Sequence, residues 1–299
     1  MKTKTVKIGN ITIGGGSRIA VQSMTNIPAH NTAAVTEQIN RLAEAGCDIV
    51  RFAVPDRETA ENVDKIVGAV SVPLVADIHF DYRLALMCIE RGISKIRINP
   101  GNIGGEDRAA AVAKAAKAKG IPIRIGVNGG SLEKGLLEKC GGNLAMAMVE
   151  SVKRHIEILN RYDFDDIVLS MKSSDVRTTI EAYRLAHERF NYPLHLGVTE
   201  AGTVKSGIIK SAIGIGSLLA DGIGDTIRVS LTGDPVKEVE AARLILRALD
   251  MEPDSIQVVS CPTCGRTRID LISIANRVTE ETEKLKGKLK VAVMGCVVN

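Results

Sequence analysis

The 299-residue sequence contains no tryptophan, and Phe, Tyr and Trp together make up 3% of it. A platform that stacks the bases of single-stranded nucleic acid needs several exposed rings, so this class is excluded. No run reaches the roughly 18 apolar residues of a membrane span. The opening stretch MKTKTVKIGN lacks the apolar centre of a signal peptide. No membrane role is expected, and the cytoplasm is the expected compartment. An excess of one charge is also missing: 39 Lys and Arg face 35 Asp and Glu, a net +4 with a pI near 8.7. That is too mild for a nucleic-acid surface but suits a small anionic ligand. Histidine numbers only five, and none lies in 251–299. In a reducing compartment the six cysteines are expected as thiols, and any clustering among them points to metal.

What remains is ordinary for a globular chain: 45% hydrophobic, 25% charged, mean hydropathy +0.09. Short apolar runs occupy 19–24, 49–54, 73–78, 95–100, 122–127, 166–171, 194–199 and 226–231. Stretches of helical period follow each, at 32–46, 57–70, 81–91, 105–119, 143–162, 175–190, 204–220 and 235–249. Short buried strands alternating with helices predict a parallel sheet. Eight such units within about 230 residues favour a closed (β/α)8 TIM barrel. Residues 4–13 read as a hairpin turning at Gly9-Asn10, placed to close the barrel bottom. The pattern changes after 250: a strand, CPTCGR, a helix and a second strand running into GCVVN. The expected division is a barrel over 1–250 and a small, incomplete α+β metal domain over 251–299.

Barrel chemistry sits at the C-terminal ends of the strands. Here those ends carry Arg51, then Asp77 and His79, Arg97 and Asn99, Arg124 and Asn128, Lys172, Thr199 and Glu200, and Arg228 and Ser230. Residues two apart on a strand share a face, which pairs Asp77 with His79, Arg97 with Asn99, and Arg228 with Ser230. Five cations around one mouth repel one another unless an anion sits between them, and the guanidinium fork matches phosphate oxygens. A ligand with more than one phosphate follows. GNIGGED (101–107) can add backbone N–H groups. Glu200, just past a strand end, is placed for acid–base work.

Cys261 and Cys264 form C-x-x-C, and Cys296 ends the next strand. A closed structural zinc site needs a fourth ligand, which 251–299 does not offer as His or Cys. Three thiolates with one open position suit a 4Fe–4S cluster with one accessible iron. Two alternatives stand beside it: a non-redox barrel transferase for a phosphorylated substrate with zinc on its tail, and a metal-binding module without activity.

VQSMTN, DIHFDYRLAL, KIRINPGNIG, RIGVNGGSLE, SMKSSD, LGVTEAG, DTIRVSLTGDP, SCPTCGRT and VAVMGCVVN, in this order along the whole chain, resemble the 4-hydroxy-3-methylbut-2-enyl diphosphate synthase family of the methylerythritol phosphate pathway. The resemblance implies a dihydropteroate synthase-like barrel followed by a 4Fe–4S domain. It implies two-electron reductive opening and dehydration of 2-C-methyl-D-erythritol 2,4-cyclodiphosphate. Ferredoxin or flavodoxin would supply the electrons to a homodimer. On the matching positions, Arg51, Arg97, Arg124, Lys172, Arg228 and Ser230 would cradle the diphosphate. Asp77, Asn99, Asn128 and Thr199 would hold hydroxyls or phosphate oxygens, Glu200 would be the acid, and Cys261, Cys264 and Cys296 would ligate the cluster. In the family MGCVVN runs on into Gly-Pro-Gly-Glu, whose Glu is the fourth ligand. This sequence stops at Asn299, so the expectation is a barrel that binds the cyclic diphosphate and a cluster that is weakly held.

Overall fold

The computed structural model describes residues 2–99, 103–252, 254–283, 285 and 287–296. It forms two compact units, Met1–Ala242 and Arg243–Asn299. The first opens with β1 (Val6–Ile8) and β2 (Ile11–Ile13), an antiparallel hairpin in which Val6 faces Ile13 and Ile8 faces Ile11. Its inner residues Val6, Ile8 and Ile13 pack on Ala20, Ile49, Val75 and Val168, which belong to barrel strands. The hairpin therefore plugs the barrel bottom, as the sequence predicts.

Strands and helices then alternate: β3 (Ala20–Met24), α1 (Thr32–Glu44), β4 (Ile49–Ala53), α2 (Arg57–Glu61), α3 (Val63–Gly68), β5 (Leu74–Asp77) and α4 (Tyr82–Glu90). They continue with β6 (Lys95–Ile98), α5 (Glu106–Lys119), β7 (Ile123–Asn128), α6 (Leu136–Lys139), α7 (Leu144–Asn160), β8 (Ile167–Lys172) and α8 (Val176–Arg189). Then come β9 (His195–Leu196), α9 (Val204–Ala220), β10 (Thr226–Ile227) and α10 (Pro235–Ala248). The parallel strands are ordered β8-β7-β6-β5-β4-β3-β10-β9. A parallel bridge between Leu169 and Leu194 joins the two ends and closes the barrel. Tyr183 of α8 reinforces that seam: its hydroxyl donates to the His195 carbonyl and accepts from Met171 N–H.

Local chemistry explains the helix starts. Asn31, Asp56, Asp81, Asn143 and Asp175 each accept a hydrogen bond from a backbone N–H two or three residues on, satisfying donors that the first turn leaves open. Two expectations shift. The single helix expected over 57–70 is broken at Asn62, whose side chain donates to the Glu58 carbonyl instead of supporting a continuous helix. The runs expected over 194–199 and 226–231 are ladders of two residues each, continued by the single bonds Arg228 N–H to Leu196 O (2.9 Å) and Thr199 N–H to Ser173 O (3.2 Å).

The second unit pairs β11 (Ile256–Ser260) and β12 (Leu289–Val293) in parallel, with α11 (Leu271–Glu283) between them in the chain. Among the described residues no helix is long and apolar enough to cross a membrane.

Candidate active site at the barrel mouth

Strand register brings the site together. Asp77, Arg97 and Arg124 stand side by side in one row across β5, β6 and β7, and Asn128 stands beside Lys172 across β7 and β8. Asp77 is buried and organises two cations: Arg97 Nη1 is 3.3 Å from Oδ1, and Arg51 Nε is 3.9 Å from Oδ2. His79 Nε2 adds a contact at 3.4 Å to Oδ2. Burial alone would raise the Asp77 carboxyl, but Arg51, the His79 hydrogen bond and Arg97 overcome it and hold the group well below the usual carboxylate range. Arg51 also rests on Met24 Sδ at 2.9 Å. Burial, opposed by Asp77 and aided by Arg228 and Arg97, pushes its guanidinium down to about 10.

The remaining cations lie deeper. Arg124 is 1% exposed, and its Nε and Nη1 have no hydrogen-bond partner among the described residues. Lys172 is buried beside His195, with Nζ 3.4 Å from Nε2, and the other ring nitrogen lies 2.7 Å from Thr226 Oγ1. Burial and then the surrounding cations hold Lys172 well below its ordinary value, and hold His195 as a neutral imidazole. Each ring nitrogen thus has one polar neighbour, Lys172 on one side and Thr226 on the other. Arg228 Nη2 reaches Glu238 Oε1 of α10 at 3.4 Å. Around this group Asn99 is buried, and Asn128, Thr199 and Ser230 are half-buried. Glu200 is exposed, with a left-handed φ of +53° that few non-glycine residues adopt. Gly101 and Asn102 of the anticipated N–H cradle lie outside the described residues.

Four contributors escaped the sequence reading. Lys95 is wholly buried inside the barrel, two residues below Arg97 on β6. Glu238 accepts from Ser23 Oγ (2.9 Å) and Leu231 N–H (3.0 Å) as well as from Arg228. Gly126 and Gly197 make room: a Cβ would lie 2.4 Å from Arg97 Nε in the first case and 2.6 Å from Lys172 Nζ in the second. A glycine two residues after an inward arginine was the available signal for Gly126.

The arrangement is six basic side chains, Arg51, Lys95, Arg97, Arg124, Lys172 and Arg228, against the carboxylates of Asp77 and Glu238. Such an excess of basic groups is complementary to a multiply charged anion, and guanidinium groups can orient one by bidentate contacts.

In the second unit Cys261 directly follows β11 and Cys296 lies three residues past β12, so both sit at the same end of two paired strands. All six cysteines of the chain are thiols. Hydrogen bonds from Arg266, backbone and side chain, and from Thr267 hold the exposed Cys264 thiol below its ordinary value. Three thiols with one poised toward thiolate fit an iron–sulfur group by donor chemistry. Among the described residues no three His, Cys, Asp or Glu side chains are gathered closely enough to hold a metal ion, so the structure leaves the three thiols apart.

Two family models cover the chain: the GcpE TIM-barrel domain matches residues 3–243, and the GcpE protein C-terminal domain matches 257–299. The chain belongs to the GcpE family. Curated GcpE relatives are close. A protein of Ruminiclostridium cellulolyticum is 58% identical over 298 residues, covering 100% of this chain and 84% of its own length. One of Clostridium perfringens is 59% identical, covering 100% and 85%. Both are named 4-hydroxy-3-methylbut-2-en-1-yl diphosphate synthase (flavodoxin). Among solved structures, the dihydropteroate synthase of Yersinia pestis superposes with a TM-score of 0.60 at 16% identity, covering 83% of this chain and 100% of that one. The enzyme of Stenotrophomonas maltophilia gives 0.59 at 15%, covering 84% and 100%. At those identities the GcpE barrel shares their fold.

Proposed function

We propose that this chain is an oxidoreductase of isoprenoid biosynthesis. It converts 2-C-methyl-D-erythritol 2,4-cyclodiphosphate to 4-hydroxy-3-methylbut-2-enyl diphosphate, with flavodoxin as the electron donor. The observation that carries this reading is the excess of buried cations at the mouth of a GcpE barrel, where a diphosphate is the complementary charge. Residues 1–250 act as the substrate domain and 251–299 as the cluster domain. The working form is a homodimer in the cytoplasm, where thiols stay reduced.

Arg51, Arg97, Arg124, Lys172 and Arg228, with Ser230, bind the diphosphate, and Asp77 and Glu238 keep the outer arginines aimed. Asn99, Asn128 and Thr199 orient hydroxyl and phosphate oxygens. In the reaction two electrons and a proton enter, the C2–O bond to phosphate breaks, the C3 hydroxyl leaves as water and a C2–C3 double bond forms. As the C2–O bond breaks, charge grows on the diphosphate oxygen, and the guanidinium groups already in place stabilise it without reorganising. Glu200 supplies the proton to the departing hydroxyl. A 4Fe–4S cluster held by Cys261, Cys264 and Cys296 supplies single-electron transfer when bound.

The test is anaerobic reconstitution with iron and sulfide, with metal analysis and electron paramagnetic resonance, beside calorimetric titration of the cyclic diphosphate. Thiolate-bound iron that is lost in Cys264→Ser, together with ligand binding at the barrel, is the expected result. One zinc per chain and no affinity for the cyclic diphosphate would replace this reading with the non-redox one.

A further inference from the structure

We infer that Lys95 is a further binding residue of the cradle, and that its amine takes up a proton as the anion enters, so that substrate and proton bind together. The inference rests on the cyclic diphosphate reading above and adds to it a group below the ring of arginines.

Lys95 is 0% exposed, and among the described residues its Nζ has one neighbour in hydrogen-bond reach, Gln22 Oε1 at 3.4 Å. Three ammonium protons cannot be satisfied by one distant amide oxygen. Among the described residues no carboxylate lies within ion-pair distance of it. The Nε2 of Gln22 is itself buried without a partner among the described residues, so this floor of the barrel holds polar atoms that none of them satisfies. Position explains what they await. Lys95 lies on the same face of β6 as Arg97, about 7 Å below it, a step that a four-carbon stem can span.

Charge decides the protonation state. Arg124 and Arg51 act on the amine, Arg97 stands two residues on along the same strand, and the carboxylates of Asp77 and Glu238 are already engaged by Arg97, Arg51 and Arg228. His195 contributes a neutral ring. Burial first, then Arg124 and Arg51, hold the Lys95 amine well below its ordinary value in the free barrel. A dianion among those guanidinium groups reverses the local potential and favours the ammonium. The sign follows: the bound state holds more protons than the free state, so affinity falls as the pH rises through the amine's bound-state value.

Titrating the full chain with the cyclic diphosphate, in buffers of low and high ionisation enthalpy at pH 7.5, counts the protons taken up. The expected result is uptake in the wild type that falls by about one proton in Lys95→Met, with affinity about tenfold weaker. Lys95→Gln serves the same purpose should the methionine variant lose its thermal transition. Equal proton counts in wild type and either folded variant would overturn the inference while leaving the substrate reading intact. No binding by the wild type would overturn both.

Discussion

Arg124 is buried with two of its guanidinium nitrogens unpartnered among the described residues, and burial followed by repulsion from Arg51 and Arg97 lowers its affinity for its own proton. A charge left in that state costs the free barrel stability and is repaid when an anion arrives. Arg124→Met should therefore separate the two properties. The free protein is expected to melt about 2–4 °C higher, a gain of about 1 kcal/mol. Binding of the cyclic diphosphate should weaken about 100-fold, the loss of two charge-assisted hydrogen bonds. Differential scanning and titration calorimetry measure both, and a variant that melts lower and still binds would sink the argument. Arg51, Arg97, Arg124 and Arg228 were legible because each is the third residue of a six-residue apolar run, and Lys172 because it directly follows one. Lys95 was not, since it opens its run, where a lysine ordinarily reaches solvent. Nor was Glu238: on a helix with charges on several faces, nothing local distinguishes a carboxylate that enters the barrel from one that stays in water.

At the scale of elements, the segment between β7 and α7 is held at Glu133. Its Oε1 accepts from Ser151 Oγ at 3.0 Å and lies 3.3 Å from His155 Nε2, both residues of α7. The His155 hydrogen bond, working against burial, is the chief reason that the Glu133 carboxyl titrates at about 2. An unfolded Glu titrates near 4.3. A carboxyl depressed in the folded state stabilises it fully above the unfolded value, and that stabilisation is lost as the pH falls toward the folded one. Amide exchange over 132–143, corrected for intrinsic rates, should thus be constant from pH 5 to 8 and accelerate between about pH 4.3 and 2. Glu133→Gln should show the faster exchange already at pH 7, and identical wild-type protection at pH 3 and pH 7 would refute the latch. The strands and principal helices were readable because buried parallel strands are short and apolar and their helices amphipathic. The split at Asn62 and the added turn of α6 were not. Each depends on a side chain or glycine competing locally with the backbone, which periodicity averages away.

For the molecule as a whole, the cradle ties ligand occupancy to stability. A ligand that binds only the folded barrel adds about 2.7 kcal/mol at a hundredfold excess over Kd. The melting temperature should rise by about 5 °C or more with the cyclic diphosphate and by less with inorganic phosphate, which offers half the charge sites. An unchanged melting temperature at saturating ligand would mean that the cations are balanced in some other way. The closed barrel was legible at this scale because eight strand–helix units leave few other topologies. The separation of the three thiols was not, because spacing in the chain places Cys261 and Cys296 on neighbouring strand ends without fixing how far apart they stand.

The hairpin of β1 and β2 has a kinetic meaning. With Val6, Ile8 and Ile13 packed into one end of the barrel, that end is filled and the mouth is the end left to a ligand. Reactant and product share it, and the product keeps the diphosphate for which the arginines are arranged. Each departing molecule then contends with the next for the same lock, so added product is expected to slow turnover in direct competition with substrate, and initial rates at several product concentrations check it.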